Sequence, residues 1–167
     1  MNKSIKILSL LLALLTLTFV FVSCSGGESG AKETEAPKDV VFDLSALGTA
    51  LSKVKYEDEM AEITDDAVIS AIYPEVSGAV KKVIYGGSGA TPEEIILCEF
   101  ESADAANSAK ARFEKHLEDK KGIFDTYNAE YRPLLDKAVL EVIGKYVIYS
   151  VSADADAAKA AIEAAKK

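Results

Sequence analysis

The chain has 167 residues, a formal net charge of −8, 49% hydrophobic residues and no tryptophan. This acidic balance argues against nucleic acid as a partner, because binding to phosphates depends on basic side chains that release counterions. It also argues against adsorption of the folded surface onto anionic lipid. The length suits a single domain once an N-terminal signal has been removed.

Residues 1–23 have the layout of a secretory signal. Lys3 and Lys6 precede a mainly apolar run over residues 7–22, and a small residue stands just before Cys24. The run has 16 residues, whereas a membrane-spanning helix needs about 20. No positively charged cluster follows the run. The sequence therefore predicts a cleavable signal peptide rather than a transmembrane anchor.

The end of this segment, Phe21-Val22-Ser23-Cys24, resembles the lipobox of bacterial lipoproteins. One position departs from that pattern, since Phe21 stands where leucine is usual. The resemblance implies that Cys24 is lipidated and becomes the new N-terminus, on the extracytoplasmic face of the cell membrane. Two or more acyl chains, palmitate among them, are enough for stable anchoring.

Residues 24–38 predict a flexible tether between the lipid and the folded part. They contain glycines, serines, one proline and several charges, without apolar periodicity. A coil of this length spans roughly 20 Å. We therefore expect one folded domain over residues 39–167, held just off the bilayer.

Two helices are predicted before the first strand. Asp43 is a suitable N-cap, and it is followed by apolar residues at helical spacing. These residues are Leu44, Leu47, Leu51 and Val54. After a polar, acidic stretch, Asp65 or Asp66 is expected to cap a short second helix, which Pro74 ends.

A hairpin and a long helix are predicted next. Residues 78–101 contain two apolar strand-like runs joined by a glycine-rich connection. Ser102 is expected to cap a helix with Ala106, Ala109, Phe113 and Leu117 on one face. The apolar phase continues beyond Gly122, which is either an interior residue of this helix or its C-terminal cap.

A second hairpin and a last helix complete the pattern. Residues 139–143 and 146–151 are rich in β-branched and aromatic residues, and Gly144-Lys145 fits a type II′ turn. Ser152 with Asp154 opens an alanine-rich helix. The order predicts an α+β domain, with a small antiparallel sheet of about four strands and helices mainly on one face.

The order of elements resembles the lipoproteins grouped as the uncharacterised family DUF4358. The matching parts are Asp43-Leu44, Ser88-Gly89-Ala90-Thr91 and Gly144-Lys145-Tyr146-Val147. The resemblance covers residues 40–166, nearly all of the chain after the tether. It implies a Gram-positive type of envelope location and brings no activity with it.

Few residues are candidates for catalysis or metal binding. His116 is the only histidine, and its charged helical neighbours favour a solvated surface group. Ile96, Cys98 and Phe100 share one strand face, which predicts a core cysteine rather than a reactive thiol. Zinc is disfavoured because nitrogen and sulfur ligands are scarce. The sequence therefore predicts no catalytic residue, no metal site and no cofactor.

Two segments leave alternatives open. Carboxylates in residues 57–66 could bind calcium, but a solvated acidic face with a helix cap explains the same residues, and no EF-hand spacing is present. Residues 86–89, Gly86-Gly87-Ser88-Gly89, could form an anion-binding nest from backbone amides. A glycine-rich hairpin connection is the simpler interpretation of that loop.

Tyrosines provide the predicted contact surface. Tyr127, Tyr131 and Tyr146 are the candidates, because exposed tyrosines are frequent at binding sites. The leading hypothesis is a non-catalytic, lipid-tethered module that binds an envelope protein or glycan. The alternative is an envelope-acting hydrolase or modifying enzyme that uses carboxylates. A two-lobed transport receptor is disfavoured by the short chain.

Overall fold

The computed structural model describes residues 40–167. The predicted signal peptide, Cys24 and the tether lie outside the described residues. The elements, in chain order, are α1 (Leu44–Leu51), β1 (Ala61–Glu62), α2 (Asp66–Ile72), a 3-10 turn (Pro74–Val76), β2 (Lys81–Gly86), β3 (Glu94–Glu99), α3 (Ala103–Tyr127), a second 3-10 turn (Ala129–Tyr131), α4 (Arg132–Leu135), β4 (Val139–Ile143), β5 (Tyr146–Val151) and α5 (Ala155–Ala164).

The strands form one antiparallel sheet in the order β1-β2-β3-β5-β4. Strand β3 lies between β2 and β5, so that Ile96 pairs with Ile84 on one side and with Tyr149 on the other. The predicted α+β class with a small antiparallel sheet is confirmed. The second hairpin has the predicted bounds, and Gly144 has a φ of +55°, which is the left-handed conformation expected at its turn.

Side chains alternate between two hydrophobic cores, one on each face of the sheet. Ile96 and Cys98 of β3 pack beneath α3 with Phe113. Ile95 and Leu97 pack on the opposite face, together with the apolar residues of α1 and α5. The expectation of helices mainly on one face is therefore wrong, because the central strands are buried on both sides.

The helices begin at the polar residues that cap them. Oδ1 of Asp43 accepts hydrogen bonds from the backbone N–H groups of Ser45 and Ala46, each at 3.1 Å. Asp65, Ser102 and Asp154 cap α2, α3 and α5 in the same way. Helix α3 continues through Gly122 to Tyr127, so this glycine is an interior residue rather than a cap.

Helix α1 lies unusually close to the sheet at Gly48. A Cβ atom at this position would approach Cγ1 of Val83 to 2.8 Å and a ring carbon of Tyr85 to 2.9 Å. The short strand β1 was not predicted, because its two residues are exposed and carry no apolar alternation. Within residues 40–167, no helix is long and apolar enough to cross a membrane.

Candidate functional site

Four charged side chains meet in the core between α3 and the sheet, and we call them the His116 cluster. Glu75 comes from the first 3-10 turn, Glu94 begins β3, and His116 and Lys120 are one turn apart on α3. Nε2 of His116 donates to Oε1 of Glu94 at 2.7 Å, and Nζ of Lys120 lies 2.5 Å from Oε2 of the same carboxylate. Nδ1 of His116 lies 3.4 Å from Oε1 of Glu75. Glu75 and Glu94 are 3% and 2% exposed.

The protonation of the His116 cluster follows from these contacts. Burial opposes the imidazolium, but the hydrogen bond to Glu94 and the charges of Glu94 and Glu75 raise the pKa of His116 above its usual value. Burial likewise opposes ionisation of Glu94, yet His116 and Lys120 lower the pKa of that carboxyl. For Glu75, burial prevails over the nearby His116 and raises the pKa. The contacts within the cluster therefore favour the charged forms of His116 and Glu94, whereas burial disfavours the ionised form of Glu75.

Aromatic rings enclose the cluster. The ring of Tyr149 meets the imidazole edge to face, with centroids 5.6 Å apart, and the ring of Tyr73 lies 6.2 Å away. Burial raises the pKa of Tyr73 to about 12 and raises that of Tyr149 further, with Glu94 adding to both. The hydroxyl of Tyr149 is buried and has no hydrogen-bond partner among the residues that the structure describes. Both phenols are therefore neutral at physiological pH.

The expectation that His116 is a solvated surface group is wrong, since its side chain is only 16% exposed. The sequence contains a pattern that indicates a buried position for His116. His116 and Lys120 follow Phe113 by three and seven residues, which places all three on neighbouring positions of the buried face. Two consecutive glutamates at the start of an apolar strand, Glu93 and Glu94, are the matching signal on the sheet.

A cavity of about 330 Å³ opens beside the cluster, and we call it the α3 cavity. Its lining residues are Ile72, Pro74, Glu75, Arg112, Lys115, His116 and Asp119. Arg112 is fixed at this site, because its Nε and Nη2 donate to the backbone oxygens of Glu75 at 3.2 Å and Ser77 at 2.7 Å. The cavity thus combines charged groups of both signs with two apolar walls.

Glu93, the neighbour of Glu94 in the sequence, has a structural role. Glu93 is 3% exposed, and its carboxylate accepts hydrogen bonds from the backbone N–H groups of Glu57 and Asp58 at 2.9 to 3.0 Å. The hydroxyl of Thr91 donates to the same carboxylate at 3.2 Å. Glu93 therefore ties the 57–58 segment to the end of the first hairpin.

The glycine-rich loop binds an anion that the protein itself supplies. Oδ2 of Asp58 accepts from the backbone N–H of Ser88 at 2.6 Å and from its hydroxyl at 2.5 Å. These hydrogen bonds lower the pKa of Asp58 and outweigh the opposing desolvation. The hypothesis of a nest for an external anion is therefore wrong at Ser88, because an internal carboxylate occupies that amide.

The acidic residues of segment 57–66 are distributed over separate partners. Oε1 of Glu57 accepts from the hydroxyl of Tyr131 at 3.1 Å, Asp65 caps α2, and Asp66 pairs with Lys82 at 3.0 Å. In the part of the chain that the structure describes, no group of three or more histidine, cysteine, aspartate or glutamate side chains could hold a metal ion. Nothing in this geometry favours the calcium hypothesis.

The structure separates the three predicted contact tyrosines. Tyr127 is 70% exposed, and its ring meets Phe124 edge to face at 6.0 Å. Tyr131 is half-buried and packs on the other side of the same phenylalanine at 5.6 Å. Tyr146 is only 1% exposed and packs against Phe42 in the opposite core. Its assignment to a contact surface is wrong, because its strand is buried on both faces.

A second cavity, of about 410 Å³, lies beside Tyr131, and we call it the Tyr131 cavity. Its lining residues are Glu57, Glu93, Glu130, Tyr131, Pro133, Leu134, Lys137 and Ala153. Three carboxylates and one lysine give it an acidic balance. Tyr131 therefore lies at an acidic recess, in the 3-10 turn that follows Tyr127 in the chain.

Cys98 is a core residue, as predicted. Its side chain is fully buried on the α3 face of the sheet, and burial raises the pKa of its thiol to about 12. A thiol in this state carries almost no thiolate at neutral pH, so it does not act as a nucleophile. Cys24, the predicted lipid attachment site, lies outside the described residues.

A scan against protein families matches residues 52–152 to DUF4358, a domain of unknown function. This chain belongs to the DUF4358 family. The match begins just after α1 and ends just after β5, so it contains the whole sheet, the His116 cluster and every lining residue of the α3 cavity. Searches of curated proteins and of solved structures each gave no match to the chain. The function of this DUF4358 domain is therefore inferred from its own sequence and structure.

Proposed function

We propose that this DUF4358 protein is a lipoprotein whose domain binds a protein component of the cell envelope without catalysing a reaction on it. Lipid on Cys24 would hold it at the extracytoplasmic face of the cell membrane. Support for the anchor comes from the lipobox-like residues 21–24 and from the basic and apolar segments before them. The tether over residues 24–38 would leave the domain free to reorient toward a partner.

An exposed apolar pair on α3 is the observation that carries the binding proposal. Ile123 and Tyr127 are 61% and 70% exposed and lie one helical turn apart. Phe124 supports the tyrosine ring from one side, so ordering it in a complex costs little conformational entropy. Neighbouring apolar side chains left exposed in this way are typical of protein interaction sites.

The charge around this pair indicates the chemistry of the partner. Tyr131 packs on the same Phe124 ring and lines the acidic Tyr131 cavity, and the whole chain has a formal charge of −8. A protein surface with an apolar contact surrounded by lysine or arginine complements this arrangement.

The internal pairing of the reactive groups supports a non-catalytic role. Both ring nitrogens of His116 face carboxylates, so the ring offers no free nitrogen as a general base. Cys98 is buried with a raised pKa. The residues that would normally supply a nucleophile and its base are therefore engaged inside the fold.

Two experiments test the two halves of this proposal. Metabolic labelling with a palmitate analogue should label the wild-type protein in the membrane fraction and leave Cys24→Ser unlabelled. Photo-crosslinking from position 127 on intact cells should capture a protein, and Ile123→Glu should weaken that capture. Val80 is similarly exposed, at 58%, and serves as the control position. Equal capture from positions 80 and 127, or capture of glycan alone, would contradict the protein-binding half.

A second candidate function is an envelope-acting enzyme that uses carboxylates. The observation that favours it is Glu75, a buried carboxyl with a raised pKa that lines the α3 cavity next to His116. A raised pKa moves a carboxyl toward the range in which it can serve as a general acid. Hydrolysis of cell-wall glycan or peptide by the wild type, lost in Glu75→Gln, would support this candidate. Absence of turnover by the wild type would reject it.

A further inference from the structure

The α3 cavity contains a positive charge that lacks a negative partner among the described residues. The guanidinium of Arg112 donates to two backbone oxygens, of Glu75 and Ser77, and forms no ion pair within residues 40–167. Lys115, its neighbour in the lining, is paired with Asp119. Arg112, an exposed residue, is thus held in place without a carboxylate partner among residues 40–167, which is an arrangement suited to a carboxylate ligand.

The same cavity contains an acceptor without a donor. The side chain of Glu75 is 2% exposed, and its Oε1 atom accepts no hydrogen bond from residues 40–167. Nδ1 of His116 lies 3.4 Å away, which is too far for a good hydrogen bond. A buried carboxyl oxygen without a donor is costly, and a ligand ammonium would supply that donor.

These two groups line the same cavity. Nε of Arg112 lies 3.2 Å from the backbone oxygen of Glu75, and the cavity volume of about 330 Å³ limits the size of a ligand that contacts both side chains. A ligand that satisfies both is therefore small and carries a negative and a positive group. An α-amino acid meets this condition, because its carboxylate and ammonium share one carbon atom.

The walls and size of the cavity restrict the side chain of such a ligand. Ile72 is 56% exposed at the rim, and Pro74 forms an adjoining wall. Both favour aliphatic contact. The volume of about 330 Å³ lies at the small end of ligand pockets, which span about 300 to 1,000 Å³. It suits a free amino acid better than a polymer.

From these observations we propose that the α3 cavity binds a zwitterionic α-amino acid with an aliphatic side chain. The carboxylate contacts Arg112, the ammonium donates to Glu75, and the side chain packs on Ile72 and Pro74. This site shares no lining residue with the proposed Ile123–Tyr127 contact and does not depend on the lipid anchor. If no amino acid binds in the α3 cavity, the proposals of a lipid anchor and a protein partner are therefore unaffected, because separate experiments test them.

Equilibrium dialysis of the full-length protein in detergent with radiolabelled leucine tests this proposal. We expect saturable retention of leucine, with glutamate and lysine retained much more weakly. Isoamylamine lacks the carboxylate and 4-methylpentanoate lacks the ammonium, so each should compete about 10- to 100-fold more weakly than unlabelled leucine. No saturable retention of leucine, or equal competition by either analogue, would overturn the proposal.

Variants locate the site. Arg112→Gln and Glu75→Gln should each weaken leucine binding by about 10-fold or more. Because both side chains also contact the fold, Ile72→Glu provides a second test at an exposed position that need not affect folding. Val80→Glu, at a similarly exposed valine outside the cavity, is the matched control. Retention of full affinity by Ile72→Glu, or equal loss in Val80→Glu, would overturn the assignment to this cavity.

Discussion

Nε2 of His116 donates a hydrogen bond to Oε1 of Glu94 at 2.7 Å, which joins the middle of α3 to the first residue of β3. The partners are 22 residues apart in sequence and lie in the core that α3 shares with the sheet. Removing one member of such a pair leaves an uncompensated charge in a low-dielectric interior. The stability of the DUF4358 domain should therefore depend on each member of the His116 cluster.

Stability should depend on pH through His116. Its pKa is raised in the folded state, above the unfolded value of about 6.5. The stabilisation by the charged histidine is therefore fully present below about pH 6.5 and is lost as pH rises through the folded pKa. Urea unfolding should show a larger difference between wild type and His116→Gln at about pH 6 than at about pH 9. An equal difference at both values would contradict a charged His116.

Glu94 should make the stability of the protein depend on pH in the opposite direction, because its contribution is lost as the pH falls. Its pKa is lowered, because His116 and Lys120 outweigh the cost of burial. Its contribution is present above the unfolded value of about 4.3 and is lost as pH falls through the folded pKa. The wild type should therefore lose stability in acid more steeply than Glu94→Gln, as thermal melts monitored by circular dichroism would show. Parallel acid profiles would refute this.

Lys120→Met should be strongly destabilising. Nζ of Lys120 contacts Oε2 of Glu94 at 2.5 Å, and its side chain is 19% exposed. Removing the ammonium from a buried pair costs about 3 to 5 kcal/mol. Lys110→Met is the control on the same helix, because Lys110 pairs with Glu114 at 48% exposure and such surface pairs contribute under about 0.5 kcal/mol. Equal unfolding midpoints for the two variants in urea would contradict the prediction.

Gly87→Ala should destabilise the protein, whereas Gly122→Ala should stabilise it. A Cβ at Gly87 would lie 2.7 Å from Oδ2 of Asp58 and would push that carboxylate away from Ser88. A Cβ at Gly122 meets nothing within 4 Å, and alanine is favoured over glycine inside a helix by about 0.5 to 1 kcal/mol. Opposite shifts in melting temperature are expected. If both variants shift the melting temperature in the same direction, the surroundings described for Gly87 or for Gly122 are wrong.

Thiol reactivity tests the state of both cysteines. Cys98 is fully buried with a raised pKa, so it should resist Ellman's reagent in the native protein and react after denaturation. If Cys24 is lipidated as proposed, one thiol per chain should react with the reagent in the denatured protein. A fast-reacting thiol in the native state of the Cys24→Ser variant would contradict the burial of Cys98.

Much of the local structure was predictable because its signals lie within a few residues. Asp43 and Ser102 bond to backbone groups of their own first turns, so capping is visible in the sequence. The second hairpin was also predicted with its bounds, since β-branched runs flank a glycine that tolerates positive φ. Cys98 was predicted to be buried from the alternation of its own strand.

The misassignments have a common physical cause. Tyr146 was expected to face outward because one strand face usually meets solvent, yet every residue of β5 is buried, as happens when helices cover both faces of a sheet. His116 was expected to be solvated because its sequence neighbours are charged. Its carboxylate partners come from a 3-10 turn and a strand. The spacing of residues along a helix does not show which side chains of other elements pack against it.

The sequence by itself determined the two hairpins and the four longer helices, the α+β class, the family and the signal-like N-terminus. Each of these depends on residue type and on spacing over short distances. Only the tertiary structure decided that Glu75, Glu94, His116 and Lys120 share one buried site, and that Arg112 and Glu75 line one cavity. Side chains far apart in sequence meet through strand pairing and helix packing, because burial of apolar area fixes which faces come together.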